Sequence, residues 1–272
     1  MSAQFSTTPS LSEKTLIIGT RLWLSCLILA QIIFITYLML GYGLASIENR
    51  IEDWNKFNNT AYVSNDTLGN FFYGLHVLLA IVMIAGGSLQ LIPSIRNRFI
   101  SFHRLNGRLY LSLACVISIA GMYLILVRGT VGDLFLHSMT FFSGLVVLSS
   151  SFFAIKAIRG KDIKRHQTWA IRLFLAANGV LFFRLFIFGW FLLFGPLGVN
   201  TSDFTGPTVY AVSICSYVLP LLIFEWYRYA IRNNSRKSKV SLGLVLSLIS
   251  LIFLTGLIGI TMGNWYPSLF EE

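Results

Sequence analysis

Charge is scarce in this chain: Asp, Glu, Lys and Arg make up 12% of its 272 residues. An ordinary soluble domain carries about a quarter, so a water-exposed globule is excluded. Acid is scarcer than base, with 11 Asp and Glu against 21 Lys and Arg. Cysteine is rare as well. Cys26, Cys115 and Cys215 fall inside apolar stretches at no motif spacing, and they read as reduced packing residues. No C-x-x-C-H occurs, which excludes covalently attached c-type haem. The chain also lacks a Ser-His-Asp arrangement, an H-E-x-x-H and a phosphate-cradling glycine loop, which excludes the usual hydrolytic and nucleotide-driven chemistries. Histidine is limited to four positions.

What is abundant is apolar sequence. Hydrophobic residues supply 55% of the chain, in recurring runs long enough to cross a hydrocarbon layer of about 30 Å. The expected fold is all-α: a seven-helix transmembrane bundle with a four-helix core made by helices two to five. Helices are predicted near 16–43, 70–94, 104–127, 132–157, 167–195, 207–231 and 240–263. The domain reading follows: a polar N-terminal segment (1–15, with 1–12 expected to be disordered), one transmembrane domain (16–263, core 70–195) and a C-terminal tail (264–272). The first span is too long for a signal-peptide core and is read as retained.

Basic residues give these spans a direction. With the N-terminus in the cytoplasm, all but Arg50, Lys56, Arg128 and Arg184 of the 21 lysines and arginines fall on the inner side. The net charge of +10 is then topological and calls for lipid headgroups, not nucleic acid, as partner. The expected location is the bacterial inner (plasma) membrane, with the C-terminus outside.

The four histidines, His76, His103, His137 and His166, fall one each on helices two to five. Each lies near the predicted start of its helix, and neighbouring helices run in opposite directions. His76 and His137 are therefore expected at one depth on the outer side, and His103 and His166 at one depth on the inner side. Neutral imidazole is a strong ligand for haem iron, and a macrocycle held between helices needs one histidine from each side. The same residues read alternatively as hydrogen-bonding groups between helices. Small residues one and three turns on from His76 (Ala80, Gly87) and from His103 (Gly107, Ala114) suit a porphyrin plane or plain helix contact equally.

Arginines fall near both expected pairs. Arg184 lies 18 residues beyond His166 on the same face, roughly 27 Å along the helix, which brings it level with the outer pair. There it would meet a haem propionate or snorkel to the surface. In "FHRLNGRLYL" (102–111) Arg104 and Arg108 share a helix flank beside His103, and Arg172 follows His166 by six residues. These three are candidates for the carboxylates of an inner haem, or for ordinary positive-inside residues.

Two stretches, "GGSLQLIPSIRNRFISFHRLNGRLYL" (86–111) and "KRHQTWAIRLFLAANGVLFFRLF" (164–186), resemble a family of bacterial multi-span membrane proteins defined only as a domain of unknown function. The resemblance covers helices two to five and brings no activity with it. A looser architectural likeness is to transmembrane two-haem b-type cytochromes, including ascorbate-dependent ferric reductases. That likeness implies two b-type haems, one on His76 and His137 and one on His103 and His166. It also implies transmembrane electron transfer from a donor such as quinol to an outer acceptor such as ferric iron. The chain departs from those proteins in having seven spans rather than six.

Whether it is an enzyme is left open. The competing reading is a proton-coupled or small-solute transporter, in which the histidines and Arg184 line a polar path. Against it stands the absence of an evident broken midplane helix apart from one at Pro220. A structural subunit without cofactor is the third reading.

Overall fold

The computed structural model describes residues 9–129 and 131–271. The expected N-terminal segment lies largely outside the described residues. Among those described there is no strand, only an isolated bridge between Asn200 and Thr205. Five helical stretches are long and apolar enough to cross a membrane, and two bent pairs bring the number to seven. The all-α transmembrane bundle expected from hydropathy is the fold observed.

The spans are α1 (Leu11–Leu38), α2 (Thr67–Leu91), α3 (Ile100–Val127), α4 (Leu134–Arg159), α5a (Ile163–Ala177) with α5b (Gly179–Phe194), α6a (Pro207–Tyr217) with α6b (Leu219–Arg232), and α7 (Arg236–Ile260). Polar caps set most of the starts. Ser10 and Glu13 form a capping box on α1, while Asp66, Asp133, Asp162 and Ser235 accept backbone N–H bonds at α2, α4, α5a and α7. Ile92 is extended, and Pro93 opens the short helix Pro93–Arg98 that turns the chain into α3.

One end of the bundle carries Arg96, Arg98, Lys164 and Arg165 and is called here the basic end. The other carries the longest connection, 44–66, and is called the loop end. At the loop end both α1 and α7 run into π-helical turns, Met39–Gly43 and Thr261–Trp265. These place Tyr42 and Trp265 in the interior, at 5% and 2% exposure.

The closest backbone approaches join α7 to α1 and to α5b, so two spans outside the expected four-helix core take part in them. Glycine is what lets these backbones meet. A Cβ on Gly243 of α7 would sit 2.6 Å from the Thr15 carbonyl oxygen of α1. A Cβ on Gly256 would overlap the backbone of Leu185 in α5b. Phe182, Leu185, Leu27 and Ile260 are almost wholly buried along this seam.

Two spans are broken near their centres. α5 bends by 46° at Asn178, with 15 helical residues on one side and 16 on the other, and α6 bends by 41° at Val218. Pro220 explains the second, because its ring removes an N–H and crowds the preceding turn. The first break corrects the sequence expectation of an intact helix five. Asn178-Gly179 is a turn-favouring pair, and Tyr217 packs so closely on Gly179 that a Cβ there would meet its ring at 2.6 Å. The two breaks face each other.

Candidate functional site

The histidines do not form the two depth-matched pairs expected. His76 lies nine residues inside α2, and its Nδ1 donates to the Ile117 carbonyl at 2.9 Å, with its ring against Gly121 of α3. His137 lies only three residues inside α4, with its ring beside Gly129, beyond the loop-end terminus of α3. From Gly121 to Val127 alone is about 9 Å of helix. Two nitrogens on one iron stand only about 4 Å apart, at metal–nitrogen bonds of about 2 Å. The outer pair therefore does not fit a shared haem. The error lies in the helix starts: α2 begins nine residues before its histidine and α4 only three.

At the basic end His103 and His166 both occupy the first turn of their helices, close enough for their charges to interact. His166 Nδ1 donates to the Ala154 carbonyl at 3.0 Å. A carbonyl only accepts, so Nδ1 carries a proton, and in the neutral imidazole Nε2 keeps its lone pair. Nδ1 of His103 is buried without a hydrogen-bond partner among the described residues. This pair has the donor chemistry for an axial ligand set. Among the described residues no group of three or more His, Cys, Asp or Glu is placed to hold a bare metal ion.

Arg172 is already committed. Its Nε and Nη2 donate to Glu225 Oε1 at 3.0 and 2.7 Å, and its guanidinium lies 4.3 Å over the Trp169 ring. Glu225 also accepts from Arg228. The expected role of Arg172 as a haem-carboxylate partner therefore meets an acid that the sequence reading left out. Arg104 and Arg108 are exposed on α3 and form no ion pair among the described residues.

Arg184 differs from all of these. It sits five residues past the α5 break and about 15 Å short of the loop end of α5b at 1.5 Å per residue. Its Nη1 donates to the Val180 carbonyl at 3.4 Å, one turn nearer the break. The side chain thus turns back along α5b towards the break. Its guanidinium lies 5.4 Å over the Phe34 ring. Its charge reaches His76 and the hydroxyls of Tyr37, Tyr42, Tyr73 and Tyr217. No carboxylate pairs with it among the described residues.

The aromatic side chains near Arg184 are held by further contacts. Trp265 stacks on Phe34 and Tyr37 at 5.3 and 5.2 Å. Tyr73 donates to the Tyr42 hydroxyl at 3.3 Å, and Asn58 of the long connection donates to Tyr73 at 3.2 Å. A buried polar chain lies at the break itself. Ser88 donates to Gln31, and Gln31 Nε2 donates to Asn178 Oδ1 at 2.7 Å. Asn178 Nδ2 donates to the Phe174 carbonyl at 2.8 Å, and Ser143 donates to that of Ala176 at 2.9 Å. The sequence reading passed over Gln31 and Asn178. Both stand out as amides within apolar runs, and that was the available signal.

Residues 73–228 match the model of a family described as "Predicted membrane protein (DUF2306)", more than half of the chain. The chain belongs to DUF2306. No curated protein and no solved structure matches it. The matched DUF2306 segment contains all four histidines, Arg172, Arg184, Tyr73, Tyr217 and Glu225. Phe34, Tyr37, Tyr42 and Trp265 lie outside that segment, on α1, its π turn and the π turn after α7. The aromatic surroundings of Arg184 in this DUF2306 protein are thus completed by helices flanking the family region.

Proposed function

We propose that this protein is a carrier of the bacterial inner membrane that binds a small anionic ligand at Arg184, with its basic end and N-terminus in the cytoplasm. The observation that carries the reading is a mid-span arginine that turns away from the near surface and has no acid beside it. An arginine at the centre of a span costs about 3 kcal/mol on insertion scales, so a purely structural bundle gains nothing by retaining it unpaired. Facing helix breaks at mid-depth are where carriers of known architecture hold substrate. The aromatic rings near it are weakly polar neighbours that leave the guanidinium charge open to an anion. His76 and the Tyr42–Tyr73 hydroxyl pair place exchangeable protons beside the bound charge, which suits proton-coupled uptake or release.

The test is calorimetric titration of the full-length protein in nanodiscs with benzoate and with benzylamine, its cationic counterpart in size. Saturable benzoate binding, no benzylamine binding and at least tenfold weaker benzoate binding by Arg184→Gln are expected. Equal benzoate affinity in the native and Arg184→Gln proteins overturns the reading.

A second reading, electron transfer through one b-type haem at the basic end, is favoured by the orphaned Nδ1 of His103 beside His166. A haem there would supply a one-electron carrier, with His103 and His166 as its ligands and the Ala154 carbonyl fixing the His166 ring. The expected sign is a b-type absorption spectrum in the dithionite-reduced protein that disappears in His166→Ala and persists in His76→Ala. A colourless protein from haem-replete cells removes this reading and leaves the first untouched.

A further inference from the structure

At the basic end, far along the chain from Arg184, α4 turns tightly into α5a through Gly160, Lys161 and Asp162. Lys161 takes the left-handed conformation that so short a reversal needs, at φ 60°. Beside this turn lies a pocket of about 240 Å³, lined by Phe153, Lys156, Ala157, Gly160, Asp162 and Arg165. A water occupies about 30 Å³ in the liquid, so the pocket has room for a phosphate group and a few waters.

The charges around it do not cancel. Lys156 and Arg165 are exposed and form no ion pair among the described residues. Asp162 is partly engaged already, since its Oδ1 accepts the Arg165 backbone N–H at 2.9 Å. Two cations against one carboxylate leave a single positive charge, which one phosphodiester balances.

The position of the pocket says where that phosphodiester comes from. α4 ends at Arg159, three residues past Lys156, and α5a begins at Ile163, two before Arg165. The pocket thus occupies the outermost turn of two spans, at the level of lipid headgroups. One turn deeper on each helix the cations give way to a ring pair. Phe153 stacks on Trp169 with ring centroids at 4.6 Å, and the Arg172 guanidinium lies 4.3 Å over the indole. Tryptophan is enriched where headgroups meet hydrocarbon. Cations outermost and rings beneath them follow the order of phosphate and acyl chain in a phospholipid, whereas a soluble phosphate makes no use of the rings.

We infer that this pocket holds the headgroup of one anionic phospholipid, of the phosphatidylglycerol type, from the leaflet that the basic end faces. Lys156 and Arg165 bind the phosphodiester oxygens from two different helices, Arg165 through its forked N–H donors. The acyl chains run past Phe153 and Trp169. A basic surface attracts anionic lipid diffusely along its whole extent, but a pocket between two helices retains one molecule. Arg184 takes no part in this site.

The test is native mass spectrometry of the full-length protein released from nanodiscs of equal parts phosphatidylglycerol and phosphatidylcholine. One phosphatidylglycerol is expected to stay bound in preference to phosphatidylcholine. Lys156→Gln combined with Arg165→Gln is expected to lower that retention at least tenfold. Arg236→Gln combined with Lys237→Gln removes as much exposed charge from the same end and is expected to leave it unchanged.

Gly160→Leu tests the pocket without touching its charge. Gly160 has an ordinary φ of −77°, and the atoms nearest an added Cβ are the Ala157 and Lys156 carbonyl oxygens at 3.5 Å. The backbone therefore accepts a side chain that fills the space, and retention is expected to fall as in the charge-loss variant. Gly160→Met serves the same purpose if Gly160→Leu does not fold. Equal retention of the two lipids, an equal loss in the Arg236 and Lys237 variant, or full retention by a folded pocket-filling variant overturns the site. Displacement of the lipid by glycerol phosphate added to the buffer overturns a lipid as its occupant.

Discussion

Arg172 and Arg184 lie twelve residues apart on either side of one helix break, and their surroundings differ in kind. Arg172 has a carboxylate at 2.7 Å and an indole beneath it. Arg184 has aromatic rings, a histidine and a backbone carbonyl. Both carry a charge that an apolar span tolerates poorly, but only the first is neutralised by the chain. A neutralised arginine holds α5a to α6b. An unneutralised one is held ready for something that arrives from outside the fold. The break at Asn178 makes this possible, since it swings α5b against α1 and α7 and points Arg184 into their aromatic side chains.

The largest expected effect comes from erasing the unpaired charge. Arg184→Leu is expected to abolish benzoate binding and to raise the melting temperature by several degrees, since about 3 kcal/mol of insertion cost is removed and stability is given up for function at such sites. A scanning calorimetry trace showing a lower melting temperature would mean that Arg184 is a structural residue like Arg172. On the other side of the break, Arg172→Gln is expected to lower the melting temperature and leave benzoate binding unchanged. A double-mutant cycle with Glu225→Gln should return a coupling of about 1 kcal/mol, the size typical of a partly exposed pair. Coupling near zero would erase the contrast between the two arginines.

The smallest effect concerns how the long connection is held to the bundle. Arg128 donates to the carbonyls of Thr60 and Ala61, to Asn70 and to Asp66, pinning the long connection to α2 and α3. The Gly69 N–H, and after it Arg128, hold the Asp66 carboxyl below the ordinary aspartate value of 3.8. A depressed folded-state value contributes stability above about pH 4, and that contribution is lost as pH falls through the lowered value. Protease cleavage within 49–65 is therefore expected to accelerate only below about pH 4, and Asp66→Asn to cleave readily at neutral pH. A flat pH profile in the native protein would detach Asp66 from this role.

Much of the architecture follows from hydropathy, because a lipid solvent demands long apolar helices and leaves few alternatives. The all-α bundle and the order of its apolar helices are readable this way. Arg184 is visible for the same reason, as a charge inside an apolar run. Depth is less readable. Assigning His76 and His137 to one level assumes that both helices begin equally far from their histidines, and the caps Asp66 and Asp133 place those starts six residues differently. Glu225 hides in "EWYRYAIR", where neighbouring charges make it read as an interfacial residue. The α5 break hides behind an unbroken apolar score, although Asn178-Gly179 is the dipeptide that marks a turn. No pattern in α1 or α7 announces that they bring aromatic rings to the neighbourhood of Arg184, since aromatic residues are spread through every span.

The π-helical turns at the loop ends of α1 and α7 carry a consequence for how this protein tolerates change in length. Each accommodates one residue more than a regular turn, so each is in register terms an insertion that the helix has absorbed. Deleting Leu40 or Met262 would restore ordinary winding there and leave the helical faces beyond each turn where they are. The change would fall within the turns themselves, on the surroundings of Tyr42 in the first case and of Trp265 in the second. A single-codon loss at either place would disturb one set of aromatic contacts while leaving every span intact.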